Sequence, residues 1–202
     1  MSQIQTVVFD LGNVLIGWDP HALYRQRFPN DEERKWFFDH VCTDEWNLAL
    51  DRGGAFDEAI AAKQREFPEF EIEIAWWKSR WHEMVLGELP RSVAVLNDLH
   101  VKGTPLYALS NWSAETFPYA RKHFPSLQKF RDIVLSGEVK LAKPQREIYE
   151  LAAKRWSIDP TKTLFIDDSA TNVTGARAAG WNAVQFTDAA SLRAQLEALS
   201  LL

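Results

Sequence analysis

Cysteine is nearly absent from this chain. Cys42 is the only one in 202 residues, so no intrachain disulfide can form and no cysteine-rich zinc site is available. Basic charge is also scarce. A formal net charge of −5 provides no field to hold a nucleic-acid backbone, and nucleic acid is not expected as a partner. No apolar run is long enough to cross a bilayer, and the opening Met1-Ser-Gln-Ile-Gln lacks the basic end and apolar stretch of a signal peptide. The expectation is a cytoplasmic protein with no membrane partner. There is no internal repeat and no low-complexity segment. With 46% hydrophobic residues, the chain can bury one main core and a small appendage.

Five short apolar runs rich in β-branched or aromatic residues read as buried strands: 6–9, 105–109, 132–135, 163–166 and 183–186. Helical periodicity separates the later ones. Val93, Leu96 and Leu99 follow Pro90; Ile148, Leu151 and Ala152 follow Pro144; Leu192, Leu196 and Leu199 follow Ser191. Alternating strands and helices predict a mainly parallel sheet, whose ligands collect beyond the carboxyl ends of the strands. Between Ile16 and Pro90 the alternation stops. That stretch is helix-like and aromatic, with Trp36, Phe37, Phe38, Trp46, Trp76, Trp77 and Trp81, and breaks at Asp51-Arg-Gly-Gly and Phe67-Pro-Glu suggest three or four short helices. Its tryptophans fit either the core of a small bundle or an apolar, sugar-stacking wall over a site.

Four strands deliver polar residues to one edge of the sheet. Val7-Val-Phe-Asp-Leu-Gly-Asn-Val-Leu brings Asp10, and Leu106-Tyr-Ala-Leu-Ser-Asn brings Ser110 and Asn111. Lys140-Leu-Ala-Lys-Pro places Lys143 before a proline suited to the first turn of a helix. Leu164-Phe-Ile-Asp-Asp-Ser-Ala-Thr-Asn brings Asp167, Asp168 and Asn172. Singly these have ordinary readings: a turn residue for Asp10, a helix cap for Ser110 and a solvated charge for Lys143. The adjacent acids are different, because two carboxylates at a buried strand end repel each other unless a cation joins them.

In this order, the four segments resemble those of the haloacid dehalogenase-like hydrolase superfamily: a strand-end Asp, a strand-end Ser/Thr, a Lys and an acidic pair. The resemblance implies an α/β, Rossmann-like three-layer parallel sheet (1–16 and 90–202) with a small inserted helical cap (17–89). Asp10-Leu-Gly-Asn-Val and Phe165-Ile-Asp-Asp look like the subgroup containing bacterial α-D-glucose-1-phosphate phosphatase. The implied activity is magnesium-dependent hydrolysis of a small-molecule phosphate ester through an aspartyl-phosphate at Asp10. Asp10, the Gly12 carbonyl and Asp168 would bind Mg²⁺, with Asp167 as a further ligand or as a partner behind the ligands. Ser110 and the Asn111 N–H would hold the phosphoryl group, Lys143 would offset its charge, and Asn172 would orient the acidic loop.

At Gly12 the sequence departs from the pattern. Many such phosphatases carry there the Asp that protonates the leaving oxygen, so another group, such as Asp19 or a residue near Asp51 and Arg52, would have to serve. Asp19 beside Pro20 also reads as a turn former. Otherwise the leaving group is a good one or turnover is slow. Two rivals stay open. One is a 2-haloacid dehalogenase, which uses the same Asp without a metal and which the acidic pair disfavours. The other is a phosphate-binding regulatory module with little turnover, which Gly12 favours.

Overall fold

The computed structural model describes residues 4–202. Its strands are β1 (Thr6–Phe9), β2 (Ile16–Trp18), β3 (Val85–Glu88), β4 (Leu106–Ser110), β5 (Ile133–Leu135), β6 (Thr163–Asp167) and β7 (Asn182–Gln185). The helices are α1 (Pro20–Tyr24), α2 (Asp31–His40), α3 (Asp44–Asp51), α4 (Phe56–Glu66), α5 (Glu71–Ser79), α6 (Pro90–Val101), α7 (Phe117–His123), α8 (Ser136–Val139), α9 (Arg146–Trp156), α10 (Ala170–Ala178) and α11 (Ala189–Ala198). Among the described residues, no helix is long and apolar enough to cross a membrane.

Five strands form a wholly parallel sheet in the order β5-β4-β1-β6-β7. Side chains alternate along a strand, and helices cover both faces, which is why these strands read as unbroken apolar runs. In the central strand, Val7 and Phe9 join one apolar cluster and Val8 the other. Helices α6 and α11 cover the first face with Val95, Leu96, Leu99, Leu192 and Leu196. Helices α9 and α10 cover the second with Ile148, Tyr149, Ala152, Val173 and Ala176. The result is the expected Rossmann-like α/β architecture. The chain winds outward from β1 through β4 to β5, then returns to β6 on the other side. That reversal opens a crevice at the carboxyl end of β1.

The segment between β1 and β4 differs from expectation in two ways. Ile16–Trp18 and Val85–Glu88 form an antiparallel pair with a bulge at Gly17/Trp18; such short strands have no periodicity for a sequence to display. Five α-helices lie between them instead of three or four. Asn30 and Thr43 start two of these by accepting hydrogen bonds from backbone N–H groups with their side chains, signals that the glycine and proline breaks obscure. Tyr24, Phe37 and Trp77 are buried together there, while Trp46 and Trp76 are partly buried. Trp18 packs against Trp81 in a tilted pair, with ring centroids 5.4 Å apart.

A further correction concerns Pro144. It does not open α9, whose N-cap is Gln145; it lies in the turn before the helix. Pro144 instead packs beneath α10. A Cβ added at Gly175 would come within 2.6 Å of the Pro144 carbonyl oxygen, so only glycine lets α10 approach the turn that carries Lys143. Gly175→Ala is expected to destabilise the protein by about 1–3 kcal/mol through overpacking, read as a lower urea midpoint.

Candidate active site

Strand ends bring the polar residues together. Asp10 follows β1, Ser110 closes β4 and Asp167 closes β6. All three are buried. Asp10 Oδ1 accepts hydrogen bonds from the Leu11 N–H at 2.7 Å and from Ser110 Oγ at 2.8 Å. The Lys143 ammonium lies 2.9 Å from the same oxygen and donates to Asp167 Oδ2 at 2.6 Å. Oδ2 of Asp10 receives no donor from the described residues and is the oxygen left to a ligand.

Burial pushes the Asp10 carboxyl up to about 6, and the charge on Asp167 adds to the rise, while Lys143 and Ser110 oppose it. Burial also works against the Lys143 ammonium, but Asp10 and Asp167 outweigh it and hold its pKa above the ordinary lysine value. Lys143 is almost wholly buried and is charged because two carboxylates flank it.

Amides fix this arrangement. The Asn111 side chain donates to the Lys143 carbonyl at 3.0 Å and accepts from the Lys143 N–H at 2.9 Å, binding the lysine backbone in both directions. Sequence reasoning assigned Asn111 only a backbone donor and missed this clamp, because the two residues are far apart in the chain. Asn172 Nδ2 donates to both oxygens of Asp167 at 3.1 Å, and the Ser169 N–H donates to Asp167 Oδ1 at 2.8 Å.

Asp168 lies beside this group. Asp10, Asp167 and Asp168 each bring one carboxylate oxygen within 4.8 Å of the others. Lys143 is the only cation paired with any of them among the described residues, which leaves the cluster anionic. Burial and the Asp167 charge raise the Asp168 pKa. A concave set of hard oxygen donors with excess negative charge fits a magnesium-sized cation.

A cavity of about 150 Å³ opens over Gly12 and Asn111. Its walls are Ile16, Gly17, Trp18, Trp81, Val85 and Trp112, with Asn47 and Asp51 as further polar members. The cavity contains no lysine or arginine. Trp81 is thus both core and wall, so the two readings of the tryptophans are not exclusive. Trp18, Asn47, Val85 and Trp112 are lining residues that the sequence did not single out, since nothing in their local pattern distinguishes a cavity wall from a core. Asp19, by contrast, precedes α1, pairs with Arg25 at 3.4 Å and does not line the cavity.

Asp51 accepts from Asn47 Nδ2 at 3.1 Å and from the Ser113 N–H at 3.2 Å. Burial pushes its carboxyl up to about 7, against the pull of those two donors and with a small addition from Asp10.

A family model described as haloacid dehalogenase-like hydrolase matches residues 4–180. This chain belongs to the haloacid dehalogenase-like hydrolase family. Among curated relatives, it is 28% identical to a sesquiterpene phosphatase of Aspergillus oryzae over 109 residues, 54% of this chain and 56% of that protein. It is also 28% identical to (S)-2-haloacid dehalogenase 1 of a Pseudomonas species over 105 residues, 52% of this chain and 45% of that protein. The chain therefore spans about half the length of these relatives. A haloacid-dehalogenase-family enzyme of Bacteroides thetaiotaomicron shares the fold, with a TM-score of 0.67, 24% identity, and coverage of 91% of this chain and 94% of that one; it was solved in complex with magnesium and inorganic phosphate.

The raised carboxyl of Asp51 sets a pH dependence. A pKa higher in the folded than in the unfolded state means that the group favours folding when protonated, and that this contribution is lost as pH rises from about 4 through about 7. Asp51→Asn cannot ionise. The stability of the variant relative to the parent is therefore expected to increase across that window and level off above it, as followed by denaturant midpoints at several pH values.

Proposed function

We propose that this protein is a magnesium-dependent phosphatase of small phosphomonoesters, with Asp10 as the nucleophile. The observation that carries this reading is the Asp10 carboxylate itself. Three donors hold Oδ1, Oδ2 is left open, and an anionic cluster beside it invites a cation.

In this reading, residues 17–89 form a cap over the site and the remainder forms the catalytic core. Asp10, Asp168 and the Gly12 carbonyl would hold Mg²⁺, with Asp167 steadying Lys143 and completing the acidic set. The bound ion supplies Lewis-acid stabilisation of the phosphoryl oxygens. Ser110 and the Asn111 N–H hydrogen-bond those oxygens, and Lys143 neutralises charge as Asp10 Oδ2 attacks phosphorus in line. A carboxylate is a weak nucleophile, and this positioning is what makes it sufficient.

The cavity supports a substrate class. Its size suits a single ring, since a cavity of about 150 Å³ accommodates benzene. Tryptophan faces suit an apolar or sugar ring, and the lack of any cation disfavours a leaving group with a second phosphate or a carboxylate. Phosphates of an otherwise uncharged sugar, including α-D-glucose 1-phosphate, fit this description. The dehalogenase reading is favoured by the similarity to (S)-2-haloacid dehalogenase 1. It requires the cavity to hold a carboxylate substrate, for which the described lining offers no cation.

Asp10→Asn is expected to remove phosphate release from a panel of small sugar and aryl phosphates while leaving the unfolding temperature near that of the parent. Mg²⁺ should stabilise the parent by about 2.7 kcal/mol at a hundredfold excess over its dissociation constant, and Asp168→Ala should lose most of that gain in a thermal-shift titration. Halide release from 2-chloropropionate in the presence of chelator, with no ester hydrolysed, would replace this reading with the dehalogenase.

A further inference from the structure

The phosphatase reading leaves one proton without a donor. When Asp10 displaces an alcohol from phosphorus, the departing oxygen needs a proton, and Gly12 has none to give. The backbone leaves room there: a Cβ added at Gly12 would meet nothing within 4 Å. Gly12 and Asp51 both stand in the wall of the same cavity.

Elimination narrows the choice. Of the residues lining the cavity, Asp51 alone carries a side chain that exchanges a proton in the neutral range; the others are glycines, aliphatic residues, tryptophans and two asparagines. No salt bridge engages its carboxylate among the described residues, so no cation holds it in a purely structural pairing. It is nevertheless fixed in place. Asn47 holds it from within α3, the Ser113 N–H holds it from the loop after β4, and its own carbonyl accepts Ser136 Oγ at 2.5 Å.

We propose that Asp51 is the acid–base of this site, taking the part that Gly12 cannot; the proposal rests on the phosphatase reading above. In the first step, the Asp10 Oδ2–P bond forms and the bond from phosphorus to the ester oxygen breaks. The electron pair stays on that oxygen, which takes the proton of Asp51 and leaves as the alcohol. In the second step, a water oxygen bonds to phosphorus and gives its proton to the Asp51 carboxylate, while the pair of the Asp10–P bond returns to Asp10. Inorganic phosphate departs, and both carboxyl groups are restored. The environment suits a group that must give and take a proton near neutrality: burial foremost raises the carboxyl to about 7. The one charge that acts on it is that of Asp10, which adds to the rise less than burial does.

The test uses the full chain with Mg²⁺ and similarly sized aryl phosphates of graded leaving-group pKa, extended to an alkyl phosphate. Release of the alcohol is followed in the first turnover. The parent should show a shallow dependence on leaving-group pKa. Asp51→Asn should make it steep, with the loss reaching about a hundredfold or more at the poorest leaving groups. Gly12→Asp added to Asp51→Asn should flatten the dependence again, because the open space at residue 12 admits the missing acid. Asp51→Ser, which also lacks the carboxylic acid, replaces the amide variant if that one fails to fold. An unchanged slope in these variants, or an equal loss for every ester, would overturn the proposal and leave Asp51 a structural residue. A parent that hydrolyses no ester would instead overturn the phosphatase reading, and this proposal with it.

Discussion

The site depends on a buried lysine placed between two carboxylates. Lys143 is almost wholly enclosed, and a lone ammonium there would be expelled or neutralised by desolvation. Asp10 and Asp167 keep it charged, and it in turn lets two acids sit near each other at the ends of adjacent strands. Removing Lys143 would leave two buried carboxylates with no cation between them, whereas removing Asp10 still leaves Lys143 paired with Asp167. The surrounding amides, Asn111 on the lysine backbone and Asn172 on Asp167, hold the triad in register. Asp168 then adds surplus negative charge to the cluster.

This arrangement explains why the fold places its chemistry where it does. The order in which the strands are added reverses at β1, and the crevice so created receives Asp10, Ser110 and Asp167 from three adjacent strands. Lys143 arrives from a turn that α10 can approach only because residue 175 is glycine. The strands supply position, while the turn and the helix set the depth at which the ammonium sits.

The sheet was largely legible in the sequence because its strands are buried on both faces and therefore stand out as apolar runs. The boundaries of β4, β5, β6 and β7 differ from the expected ones only by a residue at one or both ends. Asp10, Ser110, Lys143, Asp167 and Asp168 were legible for a related reason: each follows or ends an apolar run, or precedes a proline. The helical segment between β2 and β3 was less legible. Its aromatic residues pack all round one another, so hydrophobic periodicity could not separate five helices or reveal the short antiparallel pair. The cavity walls were not legible at all. Trp18, Val85 and Trp112 meet only through tertiary packing, and Asp51 could be raised as one possible proton donor but not preferred over Asp19 until the cavity was seen.

The central claim is that a carboxylate of the protein, and not water, first attacks phosphorus. The stereochemical course of hydrolysis tests it most directly, using a phosphorothioate ester made chiral at phosphorus with two oxygen isotopes and hydrolysed in water carrying the third. Two successive in-line displacements, first by Asp10 and then by water, each invert the centre, so net retention is the expected result. Net inversion would show a single displacement by water and would contradict the account.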